Sequence, residues 1–156
     1  MSRSAIALAF LALLPSSVDA RVFGEWELQR DAGTQQALVV VRVDGRAGAF
    51  GAIVVRCEAR RLSVFIDVGA PLVVGRPTAV RFQFDVRAVD AARWHPAPDG
   101  VGVFAPEPAP FARSLADLYH LTFAAMDADG GWHTTDFPLT GSAAAIRPVL
   151  AACGAS

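Results

Sequence analysis

Apolar and polar residues alternate with a period of two through most of this chain. Ile53, Val55, Cys57 and Ala59 are apolar or small, and Arg56 and Glu58 stand between them. That is the pattern of a strand with one wet face. After Arg60 and Arg61 the alternation resumes, with Leu62, Val64, Ile66 and Val68 on one side and Ser63 and Asp67 on the other. The spacing predicts a β-hairpin with Cys57 on its inner face. Leu38 to Val43, closed by Asp44-Gly45, reads as a further strand and turn. Val80, Phe82, Phe84 and Val86 alternate with Arg81, Gln83 and Asp85, and Leu121, Phe123 and Ala125 with Thr122. Asp127 to Gly131 then leads as a tight turn into a partner strand, Trp132 to Leu139. Roughly seven strands at this spacing predict a mainly β fold, an antiparallel β-sandwich or small barrel.

Two segments leave this pattern. Pro110, Phe111, Leu115 and Leu118 place a proline ahead of apolar residues at helical spacing, which predicts a short helix over a sheet edge or end. In the run GSAAAIRPVLAAC, Ile146, Val149, Leu150 and Cys153 fall on one face of a helix with Ser142 placed to cap it. Pro148 is expected to bend or interrupt that helix, because it lacks an N–H and crowds the preceding turn.

The first twenty residues have a different character. Arg3, the apolar run Ala5 to Leu14, Pro15 and a small, polar tail ending at Ala20 match a signal peptide, with cleavage predicted between Ala20 and Arg21. The apolar run is too short to cross a bilayer, so no transmembrane anchor is expected. Residues 21–156 then form a single secreted, β-rich domain, large enough for one core. The formal charge is −1. A nucleic-acid partner is not expected, since such binding needs a basic excess. The chain contains neither lysine nor asparagine, which also excludes N-glycosylation.

In an oxidising compartment Cys57 and Cys153 are expected to form one bridge that pins the C-terminal helix to the sheet, the alternative being two separate buried thiols.

The chain offers little chemistry. The hairpin register puts His133 opposite Ala125 and sets His120 and His133 on opposite faces, where they cannot share one ion. The Asp127 turn lacks the closing glutamate of a calcium loop, because Pro138 stands at that position. No G-x-S-x-G elbow is present, and neither Ser63 nor Ser114 has a histidine near it in sequence. We therefore expect a non-enzyme with no cofactor, no metal and no catalytic residue. The candidate binding surface is Arg81, Trp94, His95 and Asp99, centred on a loop from Trp94 to Gly100. The alternative role for Trp94 and Trp26 is to plug the open ends of the sandwich.

Trp26, Asp31 and Thr34, then VVRCEARRLSVFID, VRFQFD, Trp94 with Asp99-Gly100, Phe111 to Leu115, FPLTG and a terminal LAAC follow one another in an order that resembles the VasI/TagO-like proteins associated with type VI secretion. The resemblance spans most of residues 21–156. It implies a small periplasmic β-rich protein with paired cysteines at Cys57 and Cys153 and a non-catalytic accessory role beside an envelope protein partner. Arg81, Trp94 and Asp99 would be the shared polar and aromatic features. The competing expectation is a secreted inhibitor of a hydrolase, with the loop RWHPAPDG as its plug.

Overall fold

The computed structural model describes residues 18–42 and 49–156, with Arg42 placed by its backbone alone. Residues 1–17 of the predicted leader, Val43 and the predicted turn at Asp44-Gly45 lie outside the described residues. The strands are β1 (Asp19–Phe23), β2 (Trp26–Asp31), β3 (Thr34–Arg42), β4 (Phe50–Glu58), β5 (Arg61–Asp67), β6 (Thr78–Phe84), β7 (Asp90–Pro96), β8 (Val103–Phe104), β9 (His120–Met126) and β10 (Trp132–Pro138). The helices are α1 (Pro108–Asp117) and α2 (Ser142–Ala152). Every strand pairing is antiparallel, in the order β1-β2-β3-β4-β5-β8-β7-β6-β9-β10. The two-residue β8 is the narrow join between the β1–β5 half and the half made of β7, β6, β9 and β10.

The inner face of β4 shows how the layers close. Gly51, Ile53, Val55 and Cys57 are all buried. At the Gly51 end, β10 lies so close that a Cβ there would sit 2.7 Å from Thr135 Cγ2 and 3.2 Å from Phe137 Cζ. Glycine alone admits that approach. At the Cys57 end the cover is α2, joined by the disulfide Cys57–Cys153 with its Cα atoms 5.6 Å apart. While α1 packs against β5, the inner face of β4 is thus met by a strand at one end and a helix at the other. Ile146, Val149 and Leu150 of α2 are buried there, each worth about 1.5–3 kcal/mol of removed apolar surface.

Local departures from the periodicity have local causes. Ala59, expected on the strand face, sits instead in the two-residue turn with Arg60. Both have positive φ, 47° and 60°, the handedness that a tight hairpin needs. Val86, expected inside, is 98% exposed. Asp85 takes φ 50°, and its carboxylate accepts the N–H groups of Tyr119 and His120, ending β6 at Phe84. Ser142 is the buried first residue of α2, and its N-cap is Gly141 in the left-handed region. A Cβ on Gly141 would lie 1.8 Å from the Phe23 carbonyl oxygen. Pro148 does not interrupt α2, which runs unbroken to Ala152. The carbonyl it leaves without an intrahelical partner belongs to exposed Ala144, where water can reach it. Trp26 is fully buried, and its Nε1–H donates to the Pro138 carbonyl at 3.1 Å, tying β2 to the end of β10.

The predicted cleavage point between Ala20 and Arg21 falls inside β1, where Ala20 pairs with Gln29 and Arg21 with Leu28.

Candidate functional site: an aromatic groove beside an open strand edge

Residues 105–110 read APEPAP. β8 pairs with β7 at only two positions, His95 with Phe104 and Pro96 with Val103. Continuing that register would bring Ala105 opposite Trp94 and Pro106 opposite Arg93. On the β5 side the ladder runs on, with the Ala105 N–H donating to the Val64 carbonyl at 2.9 Å, but on the β7 side pairing stops at Phe104. Pro106 has no N–H to offer, and Pro108 opens α1. The chain therefore peels off the sheet, and a groove of about 480 Å³ opens between β6–β7 and α1.

Its floor is aromatic. Phe82, Phe84, Trp94 and Phe111 line it. Phe82 lies 5.5 Å from Trp94 and 5.4 Å from Phe111, centroid to centroid, and Phe84 lies 5.3 Å from Phe111. Tilted and edge-to-face contacts of this kind add to the value of burial alone. The rim carries Arg87, Asp90, Glu107 and Ser114. Glu107 is the N-cap residue of α1, yet its side chain makes no capping hydrogen bond. Among the described residues, neither the Asp90 nor the Glu107 carboxylate has an ion-pair partner. The volume is that of a ligand site, and the apolar base with a few polar groups at the mouth has the usual composition of one.

The residues expected to form one binding surface do not come together. Trp94, expected in a loop, is in the middle of β7 and 3% exposed. It belongs to the groove floor and core because the strand alternation continues through Ala92 and Trp94. His95 points to the opposite, outer face, where it is exposed. Arg81 is also on an outer face, its guanidinium 4.2 Å from the Trp132 ring centroid. Asp99 lies in the turn after β7 and accepts the Val101 N–H. Of the four, Trp94 alone lines the groove. Phe82, Phe84 and Phe111 read in the sequence only as strand and helix positions, and the proline run APEPAP is the signal that a strand stops there.

The histidines are held separately. His133 pairs with Ala125, and its Nε2 meets the Asp127 carboxylate. That bond, with the Gly131 N–H, holds the Asp127 carboxyl below the usual carboxylate range. His120 lies near Asp136 on the other face at 3.6 Å. Among the described residues no group of three His, Cys, Asp or Glu side chains is placed to hold a metal ion. No helix among them is long and apolar enough to cross a membrane.

Fold and site together define a disulfide-pinned, antiparallel β-sandwich with a two-helix cover and an aromatic groove. No protein-family model matches the chain, and no curated protein sequence does. Among solved structures, the crystal structure of invasion associated protein B from Bartonella henselae is similar, with a TM-score of 0.55 and 21% identity. The match covers 85% of this chain and 96% of that one, and it is a likeness of fold.

Proposed function

We propose that this protein is a non-catalytic binding module of the cell envelope, periplasmic or secreted after removal of its leader, which engages another envelope protein through the groove beside β7. The observation that carries this reading is the aromatic floor of Phe82, Trp94 and Phe111 beneath a rim of unpaired carboxylates. The disulfide supports an oxidising compartment, and the leader pattern supports export. The resemblance to VasI/TagO-like proteins makes a type VI secretion apparatus the first envelope assembly to test. Affinity capture from envelope extract with residues 21–156, followed by mass spectrometry, tests it. Envelope components should be enriched by the native protein and lost with Ala92→Trp, which fills the groove. Identical capture by both proteins would reject the groove as the binding site.

A second reading, a secreted inhibitor of a hydrolase, rests on the turn between β7 and β8. Pro98 and Asp99 are exposed at its tip. The turn is held by the Ala97 N–H to the Gly102 carbonyl, the Gly100 N–H to the Ala97 carbonyl and the Leu72 N–H to the Gly100 carbonyl. A loop so fixed loses little entropy on docking. Assays against lysozymes and proteases at micromolar concentration decide it, and absence of inhibition across the panel removes it.

A further inference from the structure

The groove has a second property besides its aromatic floor. β7 pairs with β6 from Asp90 to Trp94 and with β8 only at His95 and Pro96. Its other edge, from Asp90 to Arg93, is unpaired among the described residues. In an antiparallel strand, alternate residues turn both N–H and C=O away from a given neighbour, so this edge presents a short row of free backbone donors and acceptors. Exposed edges of this kind are usually shortened, charged or covered. Here the residues that would have covered it carry Pro106 and Pro108 and are lifted away into α1. The open edge and the groove are one place, because Asp90, Ala92 and Trp94 line the groove from the same strand.

A bare edge next to an apolar slot suits a particular occupant. Main-chain hydrogen bonds supply affinity along the edge, and a side-chain pocket supplies selectivity. Four residues of strand span about 13 Å, enough for one side chain to enter the slot and its neighbours to reach the rim. The rim has the Asp90 and Glu107 carboxylates against the single guanidinium of Arg87, so its balance is negative and favours a cation on the partner.

We propose that the groove receives an extended peptide segment of a partner protein, which adds a strand to the Asp90–Arg93 edge of β7. The segment places one large apolar side chain over Phe82, Trp94 and Phe111 and sets a Lys or Arg beside Asp90 and Glu107. This names the partner chemistry of the site proposed above and rests on that reading.

The test is selection of a phage-displayed library of linear dodecapeptides on the oxidised protein, followed by fluorescence anisotropy with a labelled synthetic copy of the enriched peptide. The enriched sequences should share a large apolar residue flanked by Lys or Arg. Affinity should fall at least tenfold in Ala92→Trp and in Asp90→Arg/Glu107→Arg, and should weaken with added salt. Amide hydrogens of Ala91 and Arg93, which by the strand alternation face the open edge, should gain protection from exchange when the peptide binds. Enriched peptides without the apolar-basic pattern, or without protection at these amides, overturn the proposal. Should Ala92→Trp fail to fold, the exposed charge reversals and the exchange measurement still decide. The neutral dye N-phenyl-1-naphthylamine separates the two levels. Dye bound in the groove with no peptide selected overturns the peptide inference alone, and neither dye nor peptide bound overturns the groove reading with it.

Discussion

Trp94 and Phe111 meet edge to face, ring centroids 5.2 Å apart and planes at 80°, so that one aromatic contact joins strand β7 to helix α1. Trp94 also lies 5.2 Å from Phe123 of β9. Trp94→Ala is therefore expected to lower stability by about 3–5 kcal/mol, the range for removing a large buried ring. Equilibrium urea unfolding measures it, and a loss below about 1 kcal/mol would return Trp94 to the surface role that its sequence neighbours suggested.

The bridge between Cys57 and Cys153 spans a sequence separation of 96 residues. Replacing both cysteines by alanine is expected to cost about 2–5 kcal/mol. Thermal unfolding of the double variant should match that of the wild type under reductant, and a wild-type midpoint unmoved by reductant contradicts this.

Ala59 and Arg60 both occupy the left-handed region, at a cost of about 1–2 kcal/mol per non-glycine residue. Ala59→Asn with Arg60→Gly supplies the residues that this turn favours. The pair should stabilise the protein by about 1 kcal/mol, read as a higher denaturant midpoint at constant slope. An unchanged or lower midpoint is the contrary result.

Burial raises the Asp67 carboxyl above its usual range. The Gly69 N–H opposes the rise and the Asp99 carboxylate adds to it. A folded-state value above the unfolded one means that the protonated form is favoured on folding. That contribution is fully present below the unfolded value and is lost as pH rises through the folded one. At neutral pH the ionised carboxylate is therefore a net cost. Asp67→Asn retains the acceptor for the Gly69 N–H, a 2.7 Å bond in the native protein. It should stabilise the protein at pH 7 by less than about 1 kcal/mol, since solvent screens a half-exposed group. The gain should shrink as pH falls into the carboxylate range, and a gain independent of pH would exclude this cause.

The strands that read clearly from the sequence have one strongly apolar face, such as β4, β5 and β9. The register that sets His133 against Ala125 followed from the tight turn before it. β7 was hidden because its inner positions are Ala92, Trp94 and Pro96, beside the turn-forming run PAPDG. A single tryptophan among small residues and prolines looks like a loop anchor until the sheet around it is known. The bridge was the preferred reading of the two cysteines, since both fall on apolar faces in a chain with an export leader pattern, and α2 packed against β4 carries it. Continuity of α2 through Pro148 depended on tertiary burial of Ile146, Val149 and Leu150, which local propensity does not contain. The groove was the least legible feature. It comes from a pairing that stops, and periodicity describes only pairings that continue.

The two ends of the inner face of β4 are covered by β10 and α2, the last two elements in chain order. The half of the molecule made first therefore has no roof of its own when it leaves the ribosome. Ile53 and Val55 stay wet on that side until residues roughly 80 to 95 positions later arrive, so the early strands are an unfinished sheet with a sticky side. For this chain, losing its final helix is equivalent to removing half of the ceiling from the oldest room.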